Sequence, residues 1–162
     1  MLKFSKKVEY ALISMLYMAE QQKGQLISAR ELAESFNIPQ ELVGKVLQSL
    51  ARVGFISSVQ GVKGGYQLAM EPDKIRLPEV IYAVEGPVRV VNCVDDPENC
   101  DCEQIKYCNM RNPMETLQLK LLAFLDSISL KELQTNQFPV EITIGKSSAG
   151  GHPVRFIDRS IN

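Results

Sequence analysis

The chain has 162 residues, 45% of them hydrophobic, which sets an expectation of one compact domain with an appendage and a modest core. Trp is absent and His152 is the single histidine, so histidine-based catalysis and multi-histidine metal sites are disfavoured from the outset. The net charge of -1 conceals a gradient: residues 1–65 carry eight Lys/Arg against five Asp/Glu, while residues 93–115 carry two against six, so the N-terminal part suits a polyanionic partner.

The opening MLKFSKKVEYALISMLYMAE has a short apolar stretch, but Glu9 and Glu20 interrupt it and no small-residue cleavage site follows. No run reaches the ~18 apolar residues of a membrane helix, so a cytoplasmic protein with no membrane partner is expected. Ser5 to about Gln22 reads as a helix with Val8, Leu12, Met15 and Ala19 at helical spacing and Gly24 past its end. Ser28-Ala-Arg-Glu31 is a capping-box pattern that starts a second, short helix running to about Phe36, and loss of the Ser28 cap should cost about 1 kcal/mol. Asn37-Ile38-Pro39 turns the chain, with Pro39 placed as the first residue of a third helix that runs to Val53. Val43, Val46, Leu50 and Val53 form its apolar stripe, and Glu41, Lys45, Gln48 and Arg52 its polar face.

The period then changes. Ile56–Gln60 and Tyr66–Met70 are strand-like and flank Gly61-Val62-Lys63-Gly64-Gly65, a β-hairpin with a glycine-rich tip. Pro78–Glu85 reads as a small helix and Val88–Val91 as a short strand-like run. Residues 92–112 are polar, acidic and cysteine-rich and read as a loop. Pro113 to about Gln134 reads as one long helix whose Met114, Leu117, Leu121, Phe124 and Ile128 make a short heptad stripe flanked by Leu122 and Leu125. The resulting division is 1–72, 73–92, 93–112, 113–136 and a poorly ordered tail over 137–162. The fold class is mostly α with a small β-hairpin: a winged helix-turn-helix followed by a long C-terminal dimerisation helix.

In a winged helix-turn-helix the third helix enters the major groove and its early solvent-facing residues meet base edges. Gln40, Glu41, Gly44, Lys45 and Gln48 hold those positions: Gln suits adenine, Lys guanine, and Glu accepts from cytosine. Gly44 lets the helix approach closely, at about 1 kcal/mol in helix propensity. Lys63 at the wing tip, with Lys6, Lys7 and Arg52, suits phosphate contacts that fix register, and Ser28 and Gln60 join the candidate DNA-binding set. A merely solvated polar stripe is the plain alternative.

Cys93, Cys100, Cys102 and Cys108 are all the cysteines of the chain, set in a polar window among Asp95, Asp96, Asp101 and Glu103. Core cysteines sit among apolar neighbours, so this clustering points to ligation or redox chemistry. Three readings stay open on the residues alone. Zinc prefers CxxC-type pairs, whereas the spacing is C-x6-C-x-C-x5-C. A disulfide switch needs no fourth cysteine. Iron–sulfur clusters take Cys thiolates at looser spacings.

The stretches Ser5-Lys-Lys-Val-Glu-Tyr10-Ala-Leu, Ile38-Pro39-Gln-Glu-Leu-Val43-Gly-Lys45-Val-Leu47, Gly54 to Ala69 and Val80-Ile-Tyr-Ala-Val84-Glu-Gly resemble the bacterial winged-helix iron–sulfur transcriptional regulators of the IscR/NsrR type. The resemblance covers about residues 2–135. It implies a homodimer joined through residues 113–136, binding double-stranded promoter DNA, with an iron–sulfur cluster (2Fe–2S or 4Fe–4S) on the cysteine loop. Relatives use three loop cysteines and a fourth ligand that differs between branches. Where the IscR branch carries a ligating histidine, this chain has Arg111; where the NsrR branch uses an acidic residue of the partner's first helix, it has Glu9. Cys93 and Cys108 fit the pattern, either Cys100 or Cys102 fits the middle position, and both together make all-cysteine ligation. Gln60 stands where many relatives carry a groove-reaching Arg, so their operator does not carry over.

The resulting expectation is a transcriptional repressor whose promoter binding follows cluster status, redox state or nitric oxide. A cluster-free winged-helix regulator that senses thiol oxidation or a partner is the alternative, and an iron–sulfur electron carrier is a weaker one. No enzyme is expected: no base–nucleophile pair stands out, and Gly61–Gly65 joins two strands rather than a strand and a helix, unlike a phosphate-binding loop.

Overall fold

The computed structural model describes residues 3–96 and 98–136; the expected tail over 137–162 lies outside them. In chain order the elements are α1 (Lys6–Glu20), α2 (Ala29–Phe36), α3 (Gln40–Arg52), β1 (Ile56–Val59), β2 (Gly65–Leu68), a 3-10 turn (Pro72–Lys74), α4 (Leu77–Glu85), α5 (Asn92–Asp95), α6 (Arg111–Asp126) and α7 (Leu130–Thr135). The class is the expected one, mostly helical with a two-stranded antiparallel hairpin.

Caps set the helix starts. Ser5 stands at the N-cap of α1, where its hydroxyl accepts from the Val8 amide and donates to the Glu85 carboxylate, tying α1 to the end of α4. Ser28 caps α2 by accepting from the Glu31 amide at 3.1 Å. Pro39 departs from expectation: it lies at the N-cap of α3 with φ -56° and ψ 123°, one residue outside the helix, and its carbonyl accepts from the amides of Leu42 and Val43. The α2–α3 turn is closed by Asn37 in the left-handed region at φ 51°, a conformation that Asn tolerates better than most residues.

One core joins α1, α2, α3, the hairpin and α4. Met15, Ile27, Leu32, Val43, Leu47, Leu50, Ile56 and Ile75 are essentially fully buried within it. The buried face of α1 differs from the expected stripe: Ala11 and Met18 enter this core, while Leu12 and Ala19 are half-buried. In α3 the stripe closes on Leu47, and Val53 is 46% exposed because the helix has ended and Gly54, at φ 83°, turns the chain.

The hairpin pairs Ile56 with Leu68 and Val59 with Gly65, so both strands are shorter than predicted. Its second strand also exchanges hydrogen bonds between Tyr66 and Ile27, which anchors the wing to the segment before α2. Close approach explains the tip glycines. A Cβ on Gly64 would lie 2.2 Å from the Val59 carbonyl oxygen, and one on Gly65 2.8 Å from that of Ile27.

Three expectations beyond the wing are corrected. Residues 88–91 form no strand, since the two-stranded hairpin is the sheet found among the described residues. Asn92–Asp95 is a single helical turn rather than loop. The long helix is broken: α6 ends at Asp126, and Ser129 starts α7 with a full capping box, its hydroxyl accepting from the Glu132 amide at 3.2 Å and the Glu132 carboxylate accepting from the Ser129 amide at 2.7 Å. Tertiary pairing holds the break. Leu130 donates to Ile75 and Leu77 to Ile128, each at 2.9 Å, and Leu130 is buried in the main core. A second, smaller cluster of Val8, Leu77, Ile81 and Leu125 fastens α6 to α1 and α4.

Candidate functional site

Two surfaces carry the chemistry-bearing residues. On the first, α3 buries Val43, Val46, Leu47 and Leu50 and thereby turns Gln40, Glu41, Lys45, Gln48 and Arg52 to solvent. Lys45 donates to Glu41 one turn earlier at 2.7 Å, and this ammonium holds the Glu41 carboxyl below its ordinary range. Beyond its own helix turn, nothing lies within 4 Å of where a Gly44 Cβ would sit, so packing against the rest of the protomer does not require glycine there. Lys6, Lys7 and Lys45 line a shallow cleft of about 220 Å³ between α1 and α3, with Tyr10 and Ser49. The wing tip extends away from the core, with Gln60, Val62 and Lys63 all exposed. Ser28 is different in kind, because its hydroxyl oxygen is committed to the first turn of α2.

The second surface is the cysteine loop. Cys93 sits in α5, Cys100 and Cys102 in the following irregular segment, and Cys108 just before α6; all four are free and half-buried. Burial pushes the Cys93 thiol up, and the neighbouring Cys100, Cys102 and Cys108 push it further. Asp96 accepts from the Asn99 side chain and amide, which holds its carboxyl below the ordinary range and closes a turn before Cys100. Val90 donates to the buried Gln118 of α6 at 3.1 Å, so the chain enters the loop fixed to that helix. Among the described residues the four thiols do not converge on a preformed coordination point. The donor set nevertheless fits an iron–sulfur group: four half-buried thiols in one window, in a loop that α5 packs onto α6. Glu9 is apart from it, on α1 and ion-paired with Lys6. Arg111 opens α6.

Sequence reasoning missed the 127–129 break and with it the tie between α6 and the winged domain. The signal was present: Ser129-Leu-Lys-Glu132 repeats the pattern of Ser28-Ala-Arg-Glu31.

A profile of the Rrf2 family, described as iron-dependent transcriptional regulators, matches residues 4–136. The chain belongs to the Rrf2 family. It is 27% identical to the HTH-type transcriptional regulator NsrR of Bacillus subtilis over 136 residues, covering 84% of this chain and 92% of that protein. It is 30% identical to the NsrR of Halalkalibacterium halodurans over 129 residues, with 80% and 88% covered. Among solved structures, CymR, the global cysteine regulator of B. subtilis, superposes with a TM-score of 0.67 at 28% identity, covering 85% of this chain and 100% of that one. The IscR of T. potens shares the fold, with a TM-score of 0.64 at 24% identity over 83% of this chain and 88% of that one. This Rrf2 protein is therefore a DNA-binding transcriptional regulator, of the type that includes IscR and NsrR. Its relatives named here are regulators rather than enzymes. Among the described residues no helix is long and apolar enough to cross a membrane.

Proposed function

We propose that this regulator represses transcription as a homodimer whose affinity for promoter DNA is set by an iron–sulfur cluster on the Cys93–Cys108 loop. The observation that carries the proposal is the placement of four half-buried free thiols at the foot of α6, a helix fastened to the DNA-reading domain. The exposed face of α3 enters the major groove, with Gln40, Glu41, Gly44, Lys45 and Gln48 toward bases and Gln60 of the wing beside the groove. Lys6, Lys7, Arg52 and Lys63 hold phosphates. On docking, Lys45 exchanges Glu41 for the duplex.

A bound cluster supplies redox and ligand-exchange chemistry at its iron. The protein does the rest. The cysteines pin residues 93–108, and Val90 with Gln118 passes that restraint to α6. From α6 it reaches the winged domain through Leu125 and the paired segments at Ile75–Leu77 and Ile128–Leu130. Two half-sites must be met together at a fixed spacing, so a small change in the angle between protomers costs a large part of the affinity.

The test is footprinting on the DNA upstream of the protein's own gene, with anaerobically reconstituted and metal-stripped protein side by side. Different protection by the two forms is the expected result, and equal protection refutes the control. Lys45→Ala should cost about 1–3 kcal/mol and relax preference at one base pair, whereas Lys63→Ala should weaken all sequences alike and lower the salt slope by about one unit.

A second reading has its own support. The likeness to CymR, the global cysteine regulator, together with four free thiols, favours a cluster-free regulator that responds to thiol oxidation or to a partner. It predicts redox-sensitive footprints from a protein that takes up no iron.

A further inference from the structure

After α4 the chain runs over α6 as a short strap, residues 87–91, before it enters α5. Beside this strap lies a cavity of about 500 Å³. Its apolar walls come from both halves of the molecule: Val53 and Phe55 where α3 runs into the hairpin, Tyr82 of α4, Val88 of the strap and Leu122 of α6. Val53 and Tyr82 are 46% and 64% exposed, so the cavity offers apolar surface to whatever enters it. Its polar lining is Glu79, Arg89 and Gln118. Glu79 already accepts from the Arg76 amide in the cap of α4, and Gln118 from the Val90 amide. Arg89 is exposed and brings the positive charge. A concave, mostly apolar site of several hundred Å³ with a few polar groups has the form of a small-molecule pocket. A guanidinium on its wall matches a carboxylate, which it binds through two parallel hydrogen bonds.

The proposed dimer leaves this site open. Gln118 and Leu122 lie one turn apart on one flank of α6, whereas Leu122 and Phe124 are about 160° apart around the helix. The exposed Leu117–Phe124 face is therefore not the cavity wall.

We infer that this cavity is an effector site for a small carboxylic acid with an apolar body, and that its occupancy sets duplex affinity. A ligand touching Val53 and Leu122 together favours one arrangement of the reading head against α6, and only such differential binding can shift a population. It also presses on Gln118, the buried residue that ties Val90 to α6 three residues before Cys93. The inference needs no cluster on the loop; it rests on the chain being a DNA-binding regulator.

The probes are 3-phenylpropionate and hexanoate, each beside its neutral amide, with the full chain and the duplex it selects from a random pool. At least one acid should shift the Val88 and Leu122 methyl signals in NMR spectra and change duplex affinity by about tenfold, an ordinary allosteric coupling. Arg89→Gln should weaken acid binding by about tenfold, as loss of a charged hydrogen bond does. Val53→Trp fills the cavity from an exposed position; it should keep its helices by circular dichroism and its duplex affinity without acid, and lose the response. If it fails to fold, Tyr82→Trp closes the cavity from the α4 wall and is read the same way. Equal binding of acid and amide, a wild-type response in the filled variant, acid binding without a change in duplex affinity, or no shift with either acid overturns the inference.

Discussion

Helices α3 and α6 are both amphipathic, yet one is finished by its own chain and the other is not. Over its 13 residues α3 buries Val43, Val46, Leu47 and Leu50 against α1, α2 and the hairpin, and offers solvent a polar face. Over its 16 residues α6 buries only Gln118 and Leu125, and Leu117 and Phe124, two turns apart on one face, stay 48% and 52% exposed. Such an apolar face marks an interaction surface, and the proposed homodimer covers it. The difference separates tasks in the proposed reading: the core of the reading head is closed within one protomer, while α6 leaves a face for the second copy of the proposed homodimer.

The largest expected effect lies in the finished half. Leu50 is fully buried, and Leu50→Ala should lower the unfolding free energy by about 2–5 kcal/mol in urea titration. A loss below about 0.5 kcal/mol, the level of an ordinary surface change, would show that α3 is not held as described.

The contrasting change is Leu117→Lys with Phe124→Lys on α6. Each protomer should keep its stability to within about 0.5 kcal/mol, as at other exposed positions. Sedimentation should shift to the monomer, and duplex affinity should fall with it. Cooperative unfolding of the double variant instead would mean that this face is covered by its own chain.

The joint between the halves should respond least. Ser129→Ala removes the α7 cap and should cost about 1 kcal/mol by thermal or chemical melting. Protonation tests the same joint. The Ser129 amide and hydroxyl hold the Glu132 carboxyl below its ordinary range. A pKa depressed in the folded state contributes stability that is present above the unfolded value and is lost as pH falls through the folded one. Melting temperature should therefore fall as pH drops below the usual glutamate range, and Glu132→Gln should flatten that slope. An unchanged slope in Glu132→Gln would remove the capping box from the account.

Much of the winged domain was legible because its signals are local. Ser28 and Glu31 announce a helix start three residues apart, and Gly61, Gly64 and Gly65 announce a tip between two alternating runs. The equally local Ser129–Glu132 box was overridden by the heptad stripe from Met114 to Ile128, which continues in register across the break. Periodicity does not reveal which stripe a distant segment will interrupt. For the site, four cysteines in one window indicated ligation or redox chemistry, but their spacing left Cys100 and Cys102 as rivals.

By itself the sequence determined the helix-turn-helix with its wing, the polar face of α3 and the gathering of every thiol in one acidic loop, since caps, turns and burial periods act over a few residues. Tertiary structure alone decided that α6 stops at Asp126, that α7 returns to the core through Leu130, and that all four cysteines are half-buried. The first two outcomes depend on pairing between residues 75–77 and 128–130, and such contacts join positions far apart in the chain.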